Sequence, residues 1–256
     1  MTLRSHLVSS AICAASIVGV VGSAEATLVS FASDDDSSAL TLAGNAGSGG
    51  SFVIRNGRTP SPTPVTLNID DDNGVQPTAH LPVGLVVELT ANYVSSSAVG
   101  SGWLHLYSVQ GSYKFVNPAS GADLLTVLVD AGSSAMTIVG SPTTWGSAGS
   151  ISGGDGLSSG ITYAANPGLL TYASSLGINI LNYGSFLVGT VEDFAFTMTN
   201  TNAGGGSVGL NAGHLPTTAW GSEASHSGHV VWVPAPGTGA GAMVAGLIMF
   251  RRRRRL

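Results

Sequence analysis

The sequence predicts an all-β fold, specifically an antiparallel β-sandwich of jelly-roll type. Three observations support this prediction. Apolar and polar residues alternate over short stretches, clusters of Gly, Pro, Asn and Ser separate these stretches, and sustained helical periodicity is nearly absent. Many short strands at this spacing are typical of sandwiches, and an open β-barrel is the alternative. Apolar residues make up 43% of the chain, which is enough to build one hydrophobic core.

The strand pattern is clearest in the middle of the chain. In the stretch 84–94, apolar and aromatic residues alternate with Glu88, Thr90 and Asn92, which predicts a half-buried strand. The stretches 103–109 and 194–199 alternate in the same way, and 124–129 is continuously apolar, like a strand covered on both faces. Shorter strand candidates are residues 28–31, 51–55, 65–69, 113–116, 135–139 and 229–233. Residues 168–176 are the one predicted helix, and the Gly/Ser-rich stretches 45–51 and 146–160 are predicted surface loops.

The balance of charge excludes a nucleic-acid binder. Between residues 27 and 233 the chain has thirteen acidic residues and only three basic ones, Arg55, Arg58 and Lys114. Such a surface repels phosphate backbones. No repeat of fixed period is present, which argues against a solenoid or a propeller.

The N-terminus has the three parts of a secretory signal peptide, residues 1–26. Arg4 and His6 form a short basic region, and an apolar stretch of about 15 residues follows, too short for a membrane span. Ala24 and Ala26 supply small residues at positions −3 and −1, so cleavage is predicted before Thr27. The only cysteine, Cys13, lies within this peptide, and the mature chain therefore has no thiol chemistry.

The C-terminus, residues 233–256, also has three parts in close order. The motif Pro234-Ala235-Pro236-Gly237 comes first, and an uncharged, mostly apolar segment, 238–250, follows it. As a helix these residues reach about 20 Å, short of a hydrocarbon core of about 30 Å. The chain then has a run of arginines that predicts a stop-transfer signal with the preceding domain outside the cytoplasm: Arg251, Arg252, Arg253, Arg254 and Arg255.

This order of motif, apolar segment and arginine cluster resembles the PEP-CTERM sorting signal. The usual family motif is Pro-Glu-Pro, and this chain departs from it with Ala235. The resemblance implies export, transient anchoring in the inner membrane and processing by an exosortase-type membrane transpeptidase, with a final place at the cell surface or outside the cell. It also implies an association with exopolysaccharide or biofilm. It implies no activity for the domain between the two ends, residues 27–232.

Two aspartate triplets are the candidate metal ligands: Asp34, Asp35, Asp36, and Asp70, Asp71, Asp72. Crowded carboxylates repel one another, and an oxygen-liganded cation such as Ca²⁺ relieves this repulsion. The second triplet is not an EF-hand, because Ala79 stands where the bidentate carboxylate is required. Solvated acidic turns are the alternative interpretation, and the sequence predicts no other cofactor.

Two further groups of residues are weaker candidates for binding. Trp103, His105 and Tyr107 share one face of a predicted strand and form a candidate platform for a sugar ring, although strand aromatics usually belong to the core. Glu223, His226 and His229 recur every third residue, with His214 nearby, and are candidate zinc ligands. We interpret the latter stretch as an exposed loop, because Gly228 suggests a turn.

No motif predicts catalysis. Residues 156–160 fit Gly-x-Ser-x-Gly but lack the flanking strand and helix, and the Gly-rich residues 204–209 lack a following helix. The isolated acids offer no recognisable pair of the kind that glycoside hydrolysis needs. The sequence therefore predicts an exported, non-enzymatic surface or matrix protein. A carbohydrate- or calcium-binding lectin-like module is the alternative, followed by a polysaccharide hydrolase.

Overall fold

A computed structural model describes residues 25–32, 41–57, 62–71, 77–154, 160–180 and 189–232. Most of these residues form strands, and every strand pairing is antiparallel. The predicted all-β, antiparallel class is therefore confirmed. Within the described ranges no helix has the length and apolar character needed to cross a membrane.

The described elements are eleven strands and one helix. The strands are β1 Glu25–Ala32, β2 Leu42–Gly44, β3 Ser51–Asn56, β4 Thr63–Asp71, β5 Ala79–Val99, β6 Gly102–Val116, β7 Asp123–Ser141, β8 Thr144–Gly154, β9 Ile161–Ala165, β10 Gly189–Asn202 and β11 Trp220–Trp232. The helix, α1, spans Pro167–Ser175 and lies between β9 and β10 in the chain. It coincides with the one helix that the sequence predicts.

The strands form one sheet in the order β3-β2-β11-β1-β4-β5-β6-β7-β8-β10-β9, with additional pairings β3–β5, β11–β10 and β7–β9. Four long strands each pair with two shorter ones along the same side. β5 contacts β4 through residues 79–85 and β3 through residues 88–92, and β11 contacts β2 and then β1. In the same way, β7 and β10 each contact both β8 and β9. The two strands that end the order, β3 and β9, therefore each have neighbours on both sides.

Neighbouring strands run in opposite directions, so the ends of the strands gather at two opposite ends of the molecule. At the termini end, Glu25 pairs with Trp232 and Thr27 pairs with Asp71, so the first and last described residues are neighbours. At the opposite end, the turn end, the β5–β6 and β7–β8 hairpins close, with Val99 across from Gly102 and Ser141 across from Thr144. β10 also finishes at the turn end, in a tight turn over residues 203–206.

The interior holds two groups of aromatic rings. Phe31, Tyr113, Phe115, Tyr163, Phe194 and Phe196 are buried in the half nearer the termini end. Phe52, Tyr107, Trp145 and Trp220 are buried in the half nearer the turn end, with ring centroids 5.2–6.1 Å apart. Full burial of each such side chain contributes about 1.5–3 kcal/mol, so these rings carry much of the stability.

The predicted alternation of residues 84–94 is confirmed, because Leu85, Val87, Leu89 and Ala91 are buried while Glu88 is exposed. The predicted two-sided burial of 124–129 is wrong at one position, since Leu128 remains 46% exposed. The predicted loop 146–160 is also wrong in its first part, because residues up to Gly154 belong to β8. β8 lies between β7 and β10, and these two neighbours hold a Gly/Ser-rich segment in the extended form.

The centre of β6 requires glycine at position 111. Gly111 has φ of 132°, and a Cβ at this position would lie 2.3 Å from the backbone oxygen of Glu88. Glu88 lies on β5, where Leu89 pairs with Gly111, and on the other side of β6 the register with β7 shifts between Val109 and Gly111.

We therefore expect Gly111→Ala to lower the free energy of unfolding by about 1–3 kcal/mol or more, through backbone strain and overpacking. The matched control is Gly168→Ala on the exposed first turn of α1, where the nearest atoms to a new Cβ are 4.0 Å away. This change is expected to be neutral or to stabilise by about 0.4–1 kcal/mol. Urea unfolding of both variants measures the difference, and equal stabilities would refute the assigned role of Gly111.

Candidate functional site

The predicted metal ligands are only partly described. Asp34, Asp35, Asp36 and Asp72 lie outside the described residues, and Asp71 is the last residue of β4. Asp70 is half-buried on β4, where the Thr78 hydroxyl donates a hydrogen bond of 3.3 Å to its carboxylate. Among the described ranges no cluster of three or more His, Cys, Asp or Glu side chains is arranged to hold a metal ion.

The predicted sugar platform lies on an inward face of β6. His105 and Tyr107 are buried and Trp103 is half-buried. The His105 ring contacts the Ser96 hydroxyl at 2.7 Å and the Ser141 backbone oxygen at 2.9 Å. Burial lowers the pKa of His105. The hydrogen bond to the Ser141 backbone is the next largest effect and opposes this shift. The faces of His105 and Tyr107 are therefore engaged in the core, and only Trp103 retains an exposed part.

The predicted loop that contains Glu223, His226 and His229 is wrong, because all three residues belong to β11. Successive strand residues face opposite sides, so a spacing of three places Glu223 and His226 on opposite faces. His226 is buried, whereas Glu223 is half-exposed. His214 stacks on Tyr93 with ring centroids 5.2 Å apart and lies 5.7 Å from the ring of His105.

The sorting and processing residues lie at the edge of the described chain. Ala24 and all residues from Val233 onward, including Pro234, Ala235, Pro236, Gly237 and the arginine run, lie outside the described residues. Ala26 belongs to β1 and pairs with Val231.

The structure brings together a buried polar group that the sequence did not predict. The Tyr113 hydroxyl lies 2.7 Å from Nε2 of His226, and the Tyr163 hydroxyl lies 3.2 Å from both atoms. The His226 ring stacks on Phe31 at 5.6 Å and meets the edge of Phe196 at 5.0 Å. This group is buried in the core, so it contributes to the stability of the fold and does not contact a ligand.

Burial lowers the pKa of His226 to about 3, and the Val29 backbone opposes this shift only in part. Nδ1 of His226 has no hydrogen bond of ordinary geometry within the described part of the chain. The His226 imidazole is therefore neutral in the folded core. Burial, and then the neighbouring Tyr163, raise the pKa of Tyr113, which keeps its hydroxyl protonated.

An open cleft of about 630 Å³ lies at the turn end. Its walls are the start of β8, the end of β10 with the following turn, and one residue of β11. The lining residues are Trp145, Gly146, Ser147, Asn200, Thr201, Asn202, Gly205, Gly206, Ser207 and Glu223. The volume is within the range of about 300–1,000 Å³ that is typical of small-molecule sites.

A β-bulge shapes the β10 side of the cleft. Thr199 pairs with Glu223 and Asn202 pairs with Gly221, so β10 has one extra residue in this interval. Asn200 adopts φ of 51° there, and the buried Thr201 hydroxyl donates to the Ser222 hydroxyl at 3.1 Å. Bulges often redirect side chains next to functional sites. Here the bulge brings Asn200 and Asn202 to the same cleft as Glu223.

The turn beyond the bulge is tight. Ala203 and Gly206 exchange backbone hydrogen bonds, and the two residues between them, Gly204 and Gly205, have φ of 60° and 88°. This is the geometry of a type I′ hairpin turn, which glycine adopts without steric cost. The Asn202 side chain also accepts a hydrogen bond of 3.0 Å from the Gly205 backbone.

The opposite wall is fixed by Trp145. Its backbone donates to the Val208 oxygen at 2.9 Å, and its indole donates to the Tyr107 hydroxyl at 2.9 Å. The Tyr107 hydroxyl in turn donates to the His214 backbone oxygen at 2.6 Å. Trp145 is 1% exposed, so it supports the wall from behind and offers no open face for stacking.

The described residues that line this cleft are polar and include one acidic group. They supply one carboxylate, two carboxamides and three hydroxyls, and none of these described residues is basic. The cleft could not be predicted from the sequence, because Ser147, Asn200 and Glu223 come from three segments that only the fold brings together. The run from Asn200 to Gly206, rich in Asn and Gly, is the one local signal of an unusual turn.

No family model matches this chain, and neither a curated protein nor a solved structure matches it.

We expect the buried His226 to make stability depend on pH. In the unfolded chain its pKa is about 6.5, and the folded value is about 3, so the unfolded state binds the proton first. Its contribution is complete above pH 6.5 and is lost as the pH falls toward 3. Between pH 7 and pH 5 the loss amounts to about 2 kcal/mol.

His226→Gln removes the titrating ring. Between pH 7 and pH 5, the unfolding free energy of this variant should therefore fall by about 2 kcal/mol less than the unfolding free energy of the parent protein. The control is His80→Gln, since His80 is exposed on the surface. Urea unfolding at pH 7, 6 and 5 measures all three proteins. If the parent and His226→Gln profiles are parallel, the neutral buried ring is not the cause.

Proposed function

We propose that this chain is an exported, non-enzymatic cell-surface or extracellular-matrix protein that is sorted through its C-terminal tail. The observation that carries the proposal is the order of the terminal segments: a signal peptide before Thr27, and the Pro-Ala-Pro-Gly motif, apolar segment and arginine run after Val233. An exosortase-type membrane transpeptidase is the proposed processing partner. An association with exopolysaccharide belongs to the same proposal.

The position of the two described ends supports this arrangement. Ala26 pairs with Val231 and Thr27 pairs with Val230 at the termini end, so the predicted cleavage site lies beside the start of the tail. Both segments are predicted to meet the inner membrane during export, and one end of the domain serves both attachments. The rest of the sheet extends away from that end.

The finer architecture stays a prediction. A jelly roll needs neighbours that are distant in sequence, whereas β4, β5, β6, β7 and β8 pair in chain order. This order favours a barrel over a jelly roll, but the additional pairing of β10 with β11 closes the sheet, whereas the alternative that the sequence predicts is an open barrel.

A lectin-like module is the second candidate function, and the cleft at the turn end favours it. A polysaccharide hydrolase would need two carboxylates on either side of a bond. Glu223 is the one carboxylate among the described residues that line the cleft. We therefore propose a binding role for the cleft rather than a catalytic one.

Processing is expected at both ends of the chain. The mature protein should begin at Thr27 and should lack the residues beyond Pro236, because the signal peptidase and the transpeptidase remove them. Intact-mass analysis of protein recovered from its native cells measures both ends. A matched variant with Gln in place of Arg251–Arg255 should lose C-terminal processing while retaining the Thr27 start. A steady-state species that keeps the arginine run would contradict the sorting proposal and indicate a simple tail anchor.

The calcium alternative predicts that Ca²⁺ stabilises the folded protein through one of the aspartate triplets. A site with a Kd near 1 mM would add about 1.4 kcal/mol in 10 mM Ca²⁺. For a domain of this size, the expected increase in Tm is roughly 3–5 °C. Calorimetry with Mg²⁺ at equal ionic strength is the control, since general screening acts equally with both ions. Equal shifts, or none, would assign the triplets to solvated turns.

A further inference from the structure

We propose that the cleft at the turn end binds a neutral saccharide, through Ser147, Asn200, Asn202, Glu223 and the backbone of the Gly205–Gly206 turn. This inference rests on the lectin-like candidate function and is independent of how the tail is processed. It places the site away from Trp103, His105 and Tyr107, the residues that the sequence singled out for this role.

The functional groups of the cleft suit hydroxyl-rich ligands. A sugar hydroxyl both donates and accepts hydrogen bonds, so it needs acceptors and donors side by side. The Glu223 carboxylate accepts only, each asparagine amide does both, and the Ser147 hydroxyl does both. Hydrogen bonds to an ionised carboxylate are stronger than those between neutral groups, which makes Glu223 the expected anchor.

The charges exclude acidic ligands. Arg55 and Lys114, the basic residues within the described chain, do not line the cleft, and Lys114 pairs with Asp123 at 2.8 Å. A phosphate or a uronate would meet the Glu223 carboxylate without a compensating cation. Like charges at short range in a partly enclosed site are unfavourable, so the ligand is neutral.

The walls are held in place before any ligand arrives. Asn202 is fixed by its hydrogen bond from the Gly205 backbone, and its amide donates to the Asn200 backbone oxygen at 2.6 Å. Trp145 anchors the other wall through Tyr107 and Val208. Preorganised groups lose little conformational entropy on binding, which compensates for the absence of a stacking surface.

The location suits a polymer outside the cell. The cleft is open to solvent and lies at the end opposite the Glu25–Trp232 pair, from which the predicted tail leaves. A chain longer than the cleft can therefore extend beyond it without meeting the termini end. We infer that the ligand is an internal segment of a neutral polysaccharide.

Affinity electrophoresis of the full-length chain, purified in mild detergent, tests the proposal. The gels contain dextran, a β-glucan, a mannan or a galactan as neutral polymers, and alginate as the acidic one. We expect at least one neutral polymer to retard the protein and alginate to have no effect. Retardation by alginate alone, or by none of the polymers, would overturn the proposal.

Variants then locate the site. Glu223→Gln keeps the shape of the side chain and should raise the apparent Kd about tenfold, and Asn200→Ala should raise it by a smaller factor. The matched control Glu88→Gln removes an exposed carboxylate on β5, outside the cleft, and should bind like the parent. Equal Tm values confirm that all variants are folded. Unchanged binding by Glu223→Gln would exclude this cleft as the site, whatever the fate of the tail.

Discussion

The backbone hydrogen bonds between strands are the interaction on which the rest of the structure depends. Even β3 and β9, which end the strand order, pair on both sides, with β2 and β5 and with β7 and β10. Unpaired strand edges are usually protected by charged side chains, especially lysine. This chain has a single lysine, Lys114, and abundant Gly and Ser. Among the described strands, this closure of the pairing limits the exposed strand edges without the use of charged side chains.

That closure also determines what the interior must contain. A sheet that returns on itself encloses two groups of rings, and the polar tips of these rings need partners. The Tyr107 hydroxyl forms hydrogen bonds with the Trp145 indole and the His214 backbone oxygen. The Tyr113 hydroxyl forms hydrogen bonds with Tyr163 and His226. The first set supports the cleft wall near the turn end, and the second holds a neutral histidine in the other half.

The sequence predicted what depends on local pattern and missed what depends on long-range pairing. The inward positions of Leu85, Val87 and Leu89 follow from simple alternation, and the sequence also predicts the one helix. The first part of the predicted loop 146–160 belongs to β8 instead, because its Gly and Ser residues have little strand preference of their own. The environment of His226 was missed for the same reason, since a glycine two residues later suggested a turn. Most of the cleft was unpredictable, because a bulge near Asn200 and the approach of β8 create it.

The pairing of β1 with β11, which persists from Thr27 to Phe31 after the predicted cleavage, has a mechanical consequence. If the chain is held at its C-terminal tail and a polymer occupies the opposite end, tension runs along β11 rather than across it. Hydrogen bonds to β1 and β10 are then loaded together, in shear, instead of opening one at a time. Because β11 is flanked on both sides, extraction of this strand requires many bonds to break at once. Under the proposed function, this geometry would resist a force applied between the tail and a ligand in the cleft.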